Sequence, residues 1–85
     1  MSTEDLESKF QAAAEKARVT ENVSTDNKKK LYSLFKQATE GPIGDRPRPG
    51  IFDQVGRAKW DSWAGLKDMS AEDAKKQYIA LVDSL

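Results

Sequence analysis

The chain has neither a cysteine nor a histidine among its 85 residues, and this absence narrows what it can fold into more than any residue it contains. A domain of this size buries a modest core and is commonly held by disulfides, a metal or a partner. Without cysteine no disulfide staple exists, and without cysteine and histidine the usual zinc-binding sets are gone. Stability has to come from packed secondary structure in a single domain spanning residues 1–85. The same absence removes the commonest general base and the thiol nucleophile. The sequence has no Gly-rich phosphate loop ending in Gly-Lys-Ser/Thr, no GxSxG and no HExxH. The carboxylate pair Glu72 and Asp73 stands at an expected helix start, where acids complement the helix dipole. The chain is therefore expected not to be an enzyme, with no catalytic residue, no cofactor and no metal.

The apolar residues follow helical spacing. Leu6, Phe10, Ala13, Ala14 and Ala17 fall on one stripe at spacings of four, three, one and three, in a segment whose alanines, glutamates and lysines favour helix. Val19 to Ser24 reads as a connector, and Thr25, Asp26 and Asn27 as caps of a second helix. There Leu31, Leu34, Phe35 and Ala38 make the apolar stripe, and Tyr32, Lys36 and Thr39 a neighbouring one. Gly41-Pro42 ends that helix. The breakers Gly41, Pro42, Gly44, Pro47, Pro49 and Gly50 then predict a loop, and long ordered loops in small domains are often functional. A third helix is expected over 55–67, carrying Trp60, Trp63, Ala64 and Leu66. Ser70 with Asp73 opens a fourth, with Ala74, Tyr78, Leu81, Val82 and Leu85 on its inner stripe. The pattern predicts four helices around one core.

Net charge is zero but unevenly placed: residues 1–27 carry six acids and three bases, 28–67 nine bases and four acids, and 68–85 four acids and two bases. The central segment is a candidate anion site on a neutral chain, whereas a general nucleic-acid binder would be basic overall. Tyr32, Phe35 and Lys36 share one turn, and Lys59 adjoins Trp60. Aromatic faces can stack a nucleobase while cations pair with phosphates. From pattern alone the same aromatics also serve as core and the lysines as ordinary surface, and both readings stand. The N-terminus is acidic and lacks an apolar run, so no secretory signal is expected. No stretch reaches the roughly 18 apolar residues of a membrane span.

Several motifs occur in order: Tyr32-Ser-Leu-Phe-Lys-Gln-Ala-Thr39, Arg48-Pro-Gly50 with Asp53, Gly56-Arg-Ala-Lys-Trp-Asp-Ser-Trp63, Leu66-Lys67, and Ser70-Ala-Glu-Asp-Ala74 with Tyr78-Ile79. In this order and spacing the chain resembles the acyl-CoA-binding protein family over nearly its whole length, less closely before Leu31. The resemblance implies an all-α four-helix bundle with an up-down-down-up course. It implies a monomeric cytoplasmic carrier and buffer that binds long-chain fatty acyl-CoA, performs no chemistry, binds no nucleic acid and inserts stably in no membrane. Related domains stand at the front of larger lipid-metabolising enzymes, including a peroxisomal enoyl-CoA isomerase. Thr39-Glu-Gly-Pro42 and residues 49–53 look similar to that subgroup, which keeps an excised domain and a peroxisomal setting open.

The resemblance also implies the site. Tyr32, Lys36, Lys59 and Tyr78 match positions that contact the CoA head group. Lys36 and Lys59 would meet the ribose 3′-phosphate, Tyr32 would donate its hydroxyl to it, and Tyr78 would close on the adenosine side. Ala14 matches a small residue lining the ligand and Arg18 a basic residue near it. Two positions depart from the family. Phe35 replaces a tyrosine, keeping a face for adenine but no hydroxyl. Val55 replaces a frequent lysine, which Arg46 or Arg48 would compensate; the alternative places Val55 in the core. The rival functions are a helical module that binds a protein helix and a single-strand binder that uses Tyr32 and Phe35 as a platform.

Overall fold

Four helices form, α1 (Thr3–Val19), α2 (Thr25–Glu40), α3 (Gln54–Ala64) and α4 (Ala71–Asp83), and the stripes read from the sequence supply their inner faces, except that Leu66 falls beyond α3 and Leu85 beyond α4, where it is 38 % exposed. The computed structural model describes residues 3–85; Met1 and Ser2, part of the acidic start read as no secretory signal, lie outside the described residues. Each of the last three helices begins on a side-chain cap. Ser24 accepts from the Asn27 N–H at 3.1 Å, Asp53 from the Gly56 N–H at 2.9 Å, and Ser70 from the Asp73 N–H at 3.0 Å. Each cap satisfies an amide that the first turn leaves without a partner. The cap of α2 is thus Ser24, one residue ahead of the three expected, because the extended backbone ends there and Thr25 is already helical. Gly41 closes α2 with a φ of 81° and its N–H on the Gln37 carbonyl, a conformation that glycine takes without steric cost.

α3 differs from expectation at its end. It stops at Ala64 rather than 67. Leu66 N–H bonds to Trp63 O and Lys67 N–H to Ala64 O, a tightening to i→i+3 pairing. Lys67 then turns the chain at a φ of 54°. Leu66 leaves the helix yet still packs against the core.

Side-chain pairs fix the course. Glu7 meets Lys75 at 2.6 Å and Lys16 meets Asp83 at 3.9 Å, so α1 and α4 run parallel. Gln37, late in α2, donates to the carbonyls of Lys67 and Met69, just before α4; α2 and α4 are antiparallel. Lys59 lies over Tyr32 and Trp63 reaches Gly41, so α3 runs parallel to α2. The course is up-down-down-up, and the 41–53 connection is the return that two parallel neighbours require. The helices lie side by side in the order α1–α4–α2–α3, in a slab with Cα extents of 40 × 30 × 14 Å.

The core belongs to three of them. Phe10 and Ala13 of α1, Leu34 and Ala38 of α2, and Ala74, Tyr78 and Val82 of α4 form one buried cluster. α3 packs on α2 and on no other helix among the described residues, and its buried residue is Trp63. Gln37 is fully buried and fastens the α3–α4 turn to α2 through the two bonds above. No helix among the described residues is long and apolar enough to cross a membrane.

Candidate ligand-binding site

Two indoles order the Pro- and Gly-rich loop. Trp60 Nε1 donates to the Arg46 carbonyl at 3.1 Å and Trp63 Nε1 to the Gly41 carbonyl at 3.0 Å. Arg48 makes a two-pronged bond to Asp61, Nε to Oδ1 at 3.0 Å and an Nη to Oδ2 at 2.7 Å, the fork geometry that suits a carboxylate. That pair holds the Asp61 carboxyl below the usual range. The loop thus has three ties to α3.

Between α2 and α3 the side chains form consecutive rungs, because Tyr32 and Lys36 are four residues apart, as are Lys59 and Trp63. On the first rung Lys59 Nζ lies 5.2 Å from the Tyr32 ring centroid. On the next, Lys36 Nζ lies 5.2 Å from the Trp63 ring, and the Arg46 guanidinium lies 4.7 Å from the same ring. These are cation–π distances. Lys36 also hydrogen-bonds Glu40 one turn on, which holds the Glu40 carboxyl below its ordinary value. Toward the other end of the ladder a cleft of about 330 Å³ opens between the first turns of α2 and α3, its walls the stems of Lys28, Lys29 and Lys59 with Tyr32, Val55 and Ala58. A volume of this size lies at the lower end for small-molecule sites. Val55 is 68 % exposed: it is a wall of the cleft and not a core residue.

The remaining expected residues fall elsewhere. Phe35 sits on the α1–α2 side, 39 % exposed, with its ring stacked on Phe10 at 5.6 Å and tilted toward Tyr78 at 6.1 Å. Tyr78 is only 4 % exposed, its ring edge-on to Phe10 at 5.2 Å, and burial pushes its phenol up. Ala14 packs against the core cluster. Arg18 pairs with Glu15 at 3.0 Å on the last turns of α1. The structure therefore brings Tyr32, Lys36 and Lys59 together on one edge, gathers Phe35 and Tyr78 in a second group around Phe10, and gives Arg18 a partner on its own helix. Of the two arginines considered as substitutes at position 55, Arg48 is committed to Asp61 and Arg46 stands beside Lys36. Glu40 was not singled out from the sequence, although its four-residue spacing from Lys36 is a readable helical pair.

Cations laid on flat rings beside an apolar cleft can hold a ligand that joins an anionic group, a flat ring and an aliphatic part. This edge, on an up-down-down-up bundle, defines a helical binding module. The chain belongs to the acyl-CoA-binding protein family, whose description "Acyl CoA binding protein" matches residues 7–82. It is 55 % identical over 62 residues to the acyl-CoA-binding protein of Saccharomyces cerevisiae, a match covering 73 % of this chain and 70 % of that one. It superposes on the crystal structure of Oryza sativa acyl-CoA-binding protein 2 with a TM-score of 0.92 at 40 % identity, covering 98 % of this chain and 90 % of the other. It is also 52 % identical over 58 residues to human enoyl-CoA delta isomerase 2, matching 68 % of this chain and 14 % of the isomerase.

Proposed function

We propose that the chain binds long-chain fatty acyl-CoA as a carrier and buffer, and that it makes and breaks no bond. The observation that carries this reading is the pair of cation-on-ring rungs, Lys59 on Tyr32 and Lys36 on Trp63, in a chain of this family. In this reading Lys36 and Lys59 meet the 3′-phosphate through charge-assisted hydrogen bonds, and the Tyr32 hydroxyl adds a third donor. The half-exposed Phe35 face takes the adenine. Tyr78 acts from behind, fixing the Phe10 and Phe35 rings. Ala14 and Arg18 contribute at the margin, one by its small size beside the core and the other by charge. The acyl chain enters the cleft beside Val55 and Ala58, where each buried methylene contributes up to about 0.8 kcal/mol. A long chain therefore outweighs a short one several times over, and a site of few polar contacts can still discriminate by length.

The chain acts as a monomer in the cytoplasm, without nucleic acid and without inserting in a membrane. The match to one part of a human isomerase favours a second setting, the acyl-CoA-binding domain of a larger enzyme, peroxisomal in that case; the binding chemistry is the same in both. Titration calorimetry with long-chain acyl-CoA, free CoA and free fatty acid tests the reading. Acyl-CoA should bind far more tightly than either fragment, because each fragment keeps only part of the contacts. Equal binding of fatty acid and acyl-CoA would sink the head-group assignment.

A further inference from the structure

The structure places an anion at the lysine that the proposed function needs free. The Glu40 carboxylate is hydrogen-bonded to Lys36 Nζ, and its other oxygen lies 3.5 Å from the Arg46 guanidinium. Both cations lie over one ring, that of Trp63. That ring is buried and fixed by its N–H on Gly41 O. Arg46 is held as well, donating to the carbonyls of Pro42 and Ile43 at 3.2 and 3.1 Å. A lysine and an arginine that share a carboxylate above an immobile indole present the donors that two phosphate oxygens would take. Arg46 comes from the loop and is one of the two arginines considered above as substitutes at position 55.

Resting on the assignment of Lys36 to the ligand's phosphate, we propose that Glu40 is a resident counter-anion of that site: the incoming phosphate replaces its carboxylate at Lys36, and Arg46 is a further phosphate-binding residue that the exchange frees. A phosphate monoester near neutral pH carries between one and two negative charges and three acceptor oxygens, against one charge and two oxygens on a carboxylate. It can therefore win both cations. A head group without that phosphate cannot displace Glu40 and meets a paired lysine instead. Glu40 thus costs a phosphate-bearing ligand part of its affinity, the work of displacing the carboxylate, and leaves a ligand without the phosphate unaffected.

The test is titration calorimetry at low salt, with long-chain acyl-CoA and its 3′-dephospho analogue, on the unaltered chain, K36Q, E40Q and E40Q/R46Q, each checked for an unchanged melt. E40Q should bind acyl-CoA about three- to fivefold more tightly, the scale of releasing one partly exposed ion pair, and should bind the dephospho analogue as the unaltered chain does. E40Q/R46Q should lose that gain. An E40Q variant that binds acyl-CoA no better, or more weakly, overturns the proposal by showing that Glu40 orders the site or is idle. An equal gain on both ligands overturns it too, as a general relief of charge. If the unaltered chain binds acyl-CoA and K36Q weakens it while E40Q gains nothing, only the role of Glu40 fails. If K36Q leaves binding unaltered, the phosphate assignment itself has failed.

Discussion

Replacing Gln37 by glutamate tests the polar fastener that sets the distance between the α3–α4 turn and α2. Gln37 is 0 % exposed. Its Nε2 donates to Lys67 O at 3.0 Å and to Met69 O at 2.8 Å, and its Oε1 is buried without a partner. Gln37→Glu keeps the volume and exchanges a two-hydrogen donor for an acceptor that faces two carbonyls. Each unsatisfied buried group costs about 1–3 kcal/mol. Losing both bonds therefore removes about 2–6 kcal/mol, against a total of roughly 4–13 kcal/mol for a chain of this length at about 0.05–0.15 kcal/mol per residue. The buried carboxyl escapes part of this by holding a proton, which donates one bond. Its folded-state pKa is then raised above the unfolded value, so the remaining stability is fully present below the unfolded pKa and is lost as pH rises through the folded one. Gln37→Leu, which also removes the orphan Oε1, should cost about 2 kcal/mol for the two deserted carbonyls and show no such pH dependence. Urea unfolding followed by far-ultraviolet circular dichroism, at about pH 7 and about pH 5, compares the two. A Gln37→Glu variant as stable as the unaltered chain at neutral pH, or one that tracks Gln37→Leu at both pH values, would refute the reasoning.

Val55→Lys should leave the melting temperature unchanged, because the side chain is 68 % exposed, and should tighten acyl-CoA binding by at most about 1 kcal/mol. The gain should shrink at high salt, since exposed charges are screened over about 8 Å at physiological ionic strength; a lowered melt with no salt-dependent gain would show that the residue packs instead of facing ligand. The carboxyls of Glu7, Glu40 and Asp61 are held low by hydrogen bonds from Lys75, Lys36 and Arg48 respectively. The stability they contribute is present above the ordinary carboxylate pKa of about 4 and is lost as pH falls through their lower folded values. Thermal melts taken from neutral pH downward should fall in that acid range, and less steeply in high salt; a melt that is flat there would remove these pairs from the account of stability.

What the sequence makes legible is what repeats or punctuates. The stripes of α1, α2 and α4 place Phe10, Leu34, Ala38, Ala74 and Val82 inside, where the structure has them. Gly41 and Ser70 mark ends because a left-handed cap and a side-chain cap have few residue solutions. The pattern fails where the deciding contact is non-local or where two residues solve the same local problem. Ser24 and Thr25 are both good caps, and only the backbone shows which one is still extended. The end of α3 is set by i→i+3 bonds and by Lys67, a lysine in a left-handed conformation that no local signal announces. Tyr32 and Tyr78 look alike in the sequence, yet one faces α3 under Lys59 and the other is buried against Phe10. Val55 could not be assigned to core or cleft, because a single valine at the start of a helix satisfies either. The meeting of Arg46 with Lys36 over Trp63 depends on the path of a twelve-residue loop from Gly41 to Phe52, which tertiary contacts decide.

The place of α3 in the bundle bears on how such a site works. The other three helices share the buried cluster, whereas α3 leans on α2 alone and commits one buried side chain, Trp63, to the contact. Phe52 just before α3 and Val55 in its first turn are exposed, and the helix is tied to the loop by two indole N–H bonds and the Arg48–Asp61 pair. An element with so little buried apolar contact opens at a lower free energy than the core. The rungs and the cleft both lie where α3 covers α2, so opening α3 dismantles the site while leaving the α1–α4–α2 core intact. Such opening would widen the way for an aliphatic chain into the cleft that already stands open between the first turns of the two helices. A ligand with its phosphate on Lys36 and Lys59 and its chain beside Val55 would join the two helices across that weak seam. Its binding free energy would then stabilise the joined state, by about 2.7 kcal/mol at a hundredfold excess over Kd. The small buried apolar contact of α3 and the strength of the ligand grip would in this view be one property: a ligand lying between α2 and α3 would add to the burial that Trp63 alone supplies from α3.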